Sequence, residues 1–107
     1  MTEAFNDFFW HDGLLSNISF EIDNTGKSVA VVSASFYRNE QDKERYDCQI
    51  RCEDVSRFNT MIDAEELKNN MFAGTISNGY VKENTLWVYV TDGVVEVHAE
   101  KFRLIEL

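Results

Sequence analysis

Apolar and polar residues alternate along most of this chain with a period of two, the mark of half-buried β-strands. Leu14 to Asp23 sets Ile18, Phe20 and Ile22 on one face, with Ser19 and Glu21 on the other. Asn24-Thr25-Gly26-Lys27 reads as a turn. Ser28 to Tyr37 is apolar on both faces, at Val29, Val31, Val32 and Phe36, which predicts a central strand. Arg38 to Glu44 is a charged, exposed connection. In Arg45 to Glu53, Tyr46, Cys48, Ile50 and Cys52 point one way, and Arg45, Asp47, Gln49 and Arg51 the other. Thr75 to Val81, Thr85 to Thr91 and Val94 to Leu107 complete the β pattern.

Between the last two strands, Asp92-Gly93 predicts a two-residue turn of the primed type. Folding about it pairs Val90 with Val95, Val88 with Val97 and Leu86 with Ala99 on one face. The other face then pairs Tyr89 with Glu96 and Trp87 with His98. Past Glu100 the apolar parity slips to Phe102 and Leu104, which predicts a bulge or the end of this pairing.

The period turns helical in two places. Asp63, followed three residues later by Glu66, is a capping box in its Asp form and predicts a short helix near residues 63–72. Leu67 and Met71 would face the core, and Gly74 would end the helix or open the next strand. Thr2 would cap a short N-terminal helix carrying Phe5, Phe8 and Phe9 on one face, with Asp12-Gly13 turning the chain into the first strand. The expected fold is therefore mainly β: about six antiparallel strands in a curved sheet, a half-open barrel or a sandwich, with one short helix packed on it.

A length of 107 residues fits a single domain with a modest core, and 44% hydrophobic residues fit a folded chain. There is no apolar run of membrane-spanning length and no basic leader, so a cytoplasmic protein is expected. Lys and Arg total 10 against 19 acidic residues, giving −9. That charge repels phosphates and argues against nucleic acid, while it suits solubility or a basic protein partner. Cys48 and Cys52 lie four residues apart on one strand, about 13 Å, too far for a mutual disulfide. They read as small buried hydrophobes in a reducing compartment.

Candidate chemistry is sparse. Phe5 to Leu15 holds four aromatics and His11, and such a cluster is either a core plug or a binding patch. The core reading is expected, with Phe8 or Phe9 and Trp10 closing one end of the sheet. His11-Asp12 has the order of a metal pair, as in helical metal-dependent phosphohydrolases, but a second upstream His is lacking. No metal and no cofactor are therefore expected; Asp12 would hold the turn and His11 bond locally. No phosphate-binding glycine loop is present, and no Ser or Cys is placed beside a base. The strand face bearing Trp87, Tyr89, Glu96 and His98 is the better candidate, as a surface for a protein contact.

Phe9-Trp10-His11-Asp12-Gly13-Leu14-Leu15-Ser16-Asn17-Ile18 resembles the start of a group of small bacterial proteins. Some of these are grouped with the immunity proteins of contact-dependent and polymorphic toxin systems. Cys52-Glu53-Asp54-Val55-Ser56-Arg57-Phe58 is similar to their following segment, where a strand runs into an apolar-punctuated turn. The resemblance covers about half the chain and implies a compact β-rich binding protein, with no catalytic residue carried over. Two functions follow as expectations. The first is a non-enzymatic acidic binding module, of the immunity-protein kind, whose binding residues are drawn from Trp10, His11, Asp12, Trp87, Tyr89, Glu96 and His98. The second is a small-ligand or enzyme site between sheet and helix, with His11, Asp12, Trp87 and His98 converging in one pocket.

Overall fold

The computed structural model of the chain describes Phe5, residues 8–69 and residues 74–107, with the backbone alone at Leu67 and Asn69. The strands are β1 (Gly13–Ile22), β2 (Ser28–Phe36), β3 (Tyr46–Ile62), β4 (Thr75–Lys82), β5 (Thr85–Val90) and β6 (Gly93–Glu106). Among the described residues there is one α-helix, α1 (Ala64–Asn69), between β3 and β4 in the chain. All strand pairs are antiparallel, and the sheet closes on itself in the order β1-β2-β3-β6-β5-β4. Among the described residues, closure rests on the ladder pairs Gly13↔Ile76 and Leu14↔Thr75, with the Asp12 amide donating to Ile76 O and the Leu15 amide to Gly74 O.

The helix begins where the sequence placed it, with the Glu66 amide donating to Asp63 Oδ1 at 3.0 Å. Its expected core contacts through Leu67 and Met71 lie outside the described side chains, as does the expected helix from Thr2. β2 is central as expected, with β1 on one side and β3 on the other. Its inward row, Ala30, Val32, Ala34 and Phe36, meets Cys48, Ile50 and Cys52 of β3 inside the barrel. From β5 and β6 come Leu86, Val88, Val95 and Val97, all fully buried.

Two boundaries differ from the sequence pattern. β3 does not stop at Glu53; it runs on to Ile62, paired with β6. Asp54 supports the continuation by taking a left-handed φ of 57°, a conformation that Asp tolerates better than most residues. Opposite it, β6 leaves β5 past His98, and this departure is the parity slip at Glu100. The β5–β6 hairpin also departs from the pattern. Its turn is Thr91-Asp92, and Gly93 is already a strand residue paired with Val90. Gly93 is needed there because a Cβ would strike the Met61 carbonyl of β3. The register therefore moves by two: Val88 faces Val95, Leu86 faces Val97, and Trp87 faces Glu96 instead of His98. A shift of two preserves which face each residue occupies, so the expected inward set survives. The primed-type turn occurs instead at Glu83-Asn84, where φ is 50° and 62°.

Three β-bulges bend the barrel, and each places a serine at the extra residue. The ladder skips Ser16 in β1, Ser56 in β3 and Ser77 in β4. Each hydroxyl donates to a carbonyl of the partner strand: Ser16 to Ser33 (3.0 Å), Ser56 to His98 (3.3 Å) and Ser77 to Tyr89 (3.2 Å). A bulge disturbs ladder bonds, and a short hydroxyl side chain restores one of them.

One end of the barrel is plugged by aromatics. Trp10 lies edge-on to Phe8 (4.9 Å) and Phe36 (5.9 Å) and is stacked on Phe5 (6.1 Å). Gly79 makes room for it, since a Cβ there would come within 2.5 Å of the indole ring. The cluster is thus core, as expected, but its members are Phe5, Phe8 and Trp10, while Phe9 turns away toward His11.

Candidate functional site

The seven residues singled out from sequence fall into three places. Trp10 is buried in the plug and is removed from the binding set. His11 and Asp12 sit at the rim beside it, both exposed. Asp12 holds the turn by its backbone: φ is 65°, its amide donates to Ile76 O (2.9 Å), and its carbonyl accepts from the Arg45 guanidinium (3.3 Å). His11 Nδ1 lies 3.4 Å from Ser77 O of β4, a partner distant in sequence rather than a local one, and Nε2 lies 3.6 Å from the Asp12 carboxylate, beyond hydrogen-bond reach. The two line a shallow groove with Phe9, Tyr37, Glu40 and Asp42.

Trp87, Tyr89, Glu96 and His98 lie together on the outer face of β4, β5, β6 and the far half of β3. The registers lay this face out in three rows. Asn78, Tyr89, Val94 and Met61 form the first; Tyr80, Trp87, Glu96 and Asn59 the second; Lys82, Thr85, His98 and Arg57 the third. Tyr80 is the member that sequence reasoning missed. Its ring stacks on Trp87 at 4.7 Å and lies 6.3 Å from Tyr89. A hydrogen bond with the Tyr80 hydroxyl pushes the Tyr89 phenol above its usual range. Met61, 73% exposed, continues the apolar surface across Val94. Strict alternation from the buried Ile76 would turn Tyr80 inward; the bulge at Ser77 switches the parity of β4, and the β4–β5 register then brings Tyr80 beside Trp87.

At the lower edge of this face, His98 Nε2 lies 2.6 Å from Glu96 Oε2, and Nδ1 lies 3.2 Å from Thr85 Oγ1. The order carboxylate, imidazole, hydroxyl is the one nucleophilic hydrolases use. Here the hydroxyl also donates to Glu83 O, and Thr85 is only 5% exposed. A nucleophile must reach its substrate, so this chain of bonds acts as a clamp at the β5–β6 edge.

The expected pocket uniting His11, Asp12, Trp87 and His98 does not form. His11 is bonded at Ser77, whereas His98 faces Thr85, whose partner on β4 is Lys82. Five residues of strand separate those β4 positions, about 17 Å. The sheet register, which sequence proximity cannot reveal, keeps the histidines apart. Among the described residues, no group of His, Cys, Asp and Glu is arranged to hold a metal ion.

On the opposite outer face, Glu53 is buried between Arg51 (3.0 Å) and Arg103 (3.1 Å). Hydrogen bonding, chiefly from Arg51, holds its carboxyl below the usual range. Burial pushes the Cys52 thiol up to about 12, so it is inert as a nucleophile. Among the described residues, no helix is long and apolar enough to cross a membrane. No family model, curated protein or solved structure matches the chain.

Proposed function

We propose that this protein is a small acidic protein-binding module. Its contact surface is the outer face built on Tyr80, Trp87 and Tyr89 and extended by Val94 and Met61. The observation that carries the reading is the stacked aromatic ladder standing half-buried to exposed on a sheet face. Tyr, Trp and Met are the residue types that anchor protein interfaces, because they supply large rigid or adaptable apolar area. Glu96, His98 and Asn59 beside them supply a polar rim. The net charge of −9 favours a basic partner. The resemblance to immunity proteins makes a basic toxin domain the first partner to try.

The test is capture from a lysate of the source organism with the intact chain, then with Trp87→Ala and Tyr80→Ala. A partner retained by the parent and lost by both variants, at unchanged melting temperature, supports the reading. Retention should also weaken as salt rises. A partner held equally by all three proteins, or retention of small molecules alone, refutes it.

A further inference from the structure

We infer that a second surface of this chain, the open edge of β1, takes an extended strand of a basic polypeptide. β1 is paired with β2 from Leu14 to Ile22 on one side, but with β4 only over Asp12 to Leu15, which bond to Ile76 and Gly74. The bulge at Ser16 lies just past the last β1 residue bonded to the β4 side, Leu15. From Asn17 to Ile22 its other edge has no ladder partner among the described residues. An unpaired edge presents a row of amides and carbonyls ready to bond another strand.

The side chains beside that edge suit such an occupant. Ile18, Phe20 and Ile22 stand on the inward parity of β1, opposite Val32, Ala30 and Ser28 of β2. Phe20 is nevertheless 47% exposed and Ile22 64%. They face the far arm of β3, where Phe58 lies edge-on to Phe20 at 5.7 Å and pairs only toward β6. Two adjoining hollows that share Ile18 run between these strands, one reaching Ile62 and the other Phe58. Alternate apolar side chains of an added strand would enter these hollows while its backbone pairs with β1.

Charge selects the occupant. Glu21 and Asp23 lie at the end of β1, Asp54 at the bend of β3, and Asp63, Glu65 and Glu66 just past Ile62. Lys27, Arg57 and Lys68 are the cations along the same segments. A second copy of the chain brings another −9 and is repelled, whereas a strand alternating valine with lysine matches both the hollows and the carboxylates. The inference shares with the proposed function only the basic character of the partner; the surface is a different one.

The probe is a nine-residue capped peptide alternating lysine and valine, titrated into the intact protein and followed by amide hydrogen exchange. Exchange at those amides between Asn17 and Ile22 that point away from β2, every second one along the strand, should be fast in the free protein and slow at least tenfold with peptide. Ile22→Lys, an exposed position that leaves folding intact, should weaken binding tenfold or more. Glu65→Gln combined with Glu66→Gln should weaken it by a smaller factor that vanishes at high salt. Trp87→Ala should leave it unchanged, which separates this edge from the aromatic face. Slow exchange at these amides without peptide overturns the inference, because the edge is then already paired. Protection on β4 and β5 in place of β1, undiminished binding by Ile22→Lys, or concentration-dependent self-association at this edge also overturns it.

Discussion

Replacing Trp10 by alanine should remove a large part of the stability of this fold. An aromatic side chain of this size buries up to ~250 Å². At ~25 cal/mol per Å² that is about 6 kcal/mol, an upper bound because unfolded chains already hide ~10–40% of such surface. The remaining ~4–5 kcal/mol agrees with the ~3–5 kcal/mol usual for emptying a buried aromatic site. The ring is 6% exposed and touches Phe5, Phe8 and Phe36, so little of it is in water to begin with. At ~4 °C per kcal/mol for a chain of this length, the melting point should fall by about 12–20 °C. Urea unfolding should show a lower midpoint with an unchanged slope. The neighbouring glycine supplies an internal check. Gly79→Ala alone should cost ~1–3 kcal/mol, because the new methyl collides with the indole. In the Trp10→Ala background the same methyl enters the vacated space and should be neutral or stabilising. Trp10→Ala within ~1 kcal/mol of the parent, or additivity of the two changes within ~0.5 kcal/mol, would refute the plug.

Three further outcomes are expected. Ser16→Ala, Ser56→Ala and Ser77→Ala should each cost ~0.5–1 kcal/mol and add, since they serve different strand pairs; a triple variant as stable as the parent in urea would deny the serines their role in the bulges. Glu53 has a depressed pKa in the fold, so its contribution is present above the ordinary carboxylate value of 4.5 and is lost as pH falls through the folded value. Glu53→Gln should therefore destabilise at pH 7 and converge on the parent in acid; a constant difference across that range would contradict the linkage. Cys52, buried and with its thiol pushed up to about 12, should react with a thiol reagent at pH 8 only at the rate of unfolding, and labelling within seconds in the native protein would show that it is not buried.

Much of this fold is determined by local pattern. Alternation in Leu14 to Asp23, Ser28 to Tyr37 and Thr85 to Thr91 fixes strands and their inward faces, because the side-chain period of a strand is two whatever it pairs with. The same locality makes the Asp63 cap legible, since its partner is three residues away. Aromatic density ahead of the first strand was enough to identify the plug, although not to choose Phe8 over Phe9 or to bring in Phe5. Tertiary contact decided the rest. Gly93 has the local chemistry of a turn residue, yet the Met61 carbonyl, 32 positions back in sequence, demands a strand glycine there and shifts the hairpin by two. β3 continues past Asp54 because β6 lies beside it, not because its own sequence alternates cleanly. The three bulge serines share an apolar-Ser-polar context, in Leu15-Ser16-Asn17, Val55-Ser56-Arg57 and Ile76-Ser77-Asn78, but that triplet is too common to signal a bulge without a partner strand. His11 and His98, the only histidines in the chain, are kept apart by register, and Tyr80 joins Trp87 for the same reason. Between bulges, which residues face inward follows from each strand alone; where a bulge switches the parity and which residues meet depend on register, and register is set by contacts between segments distant in sequence.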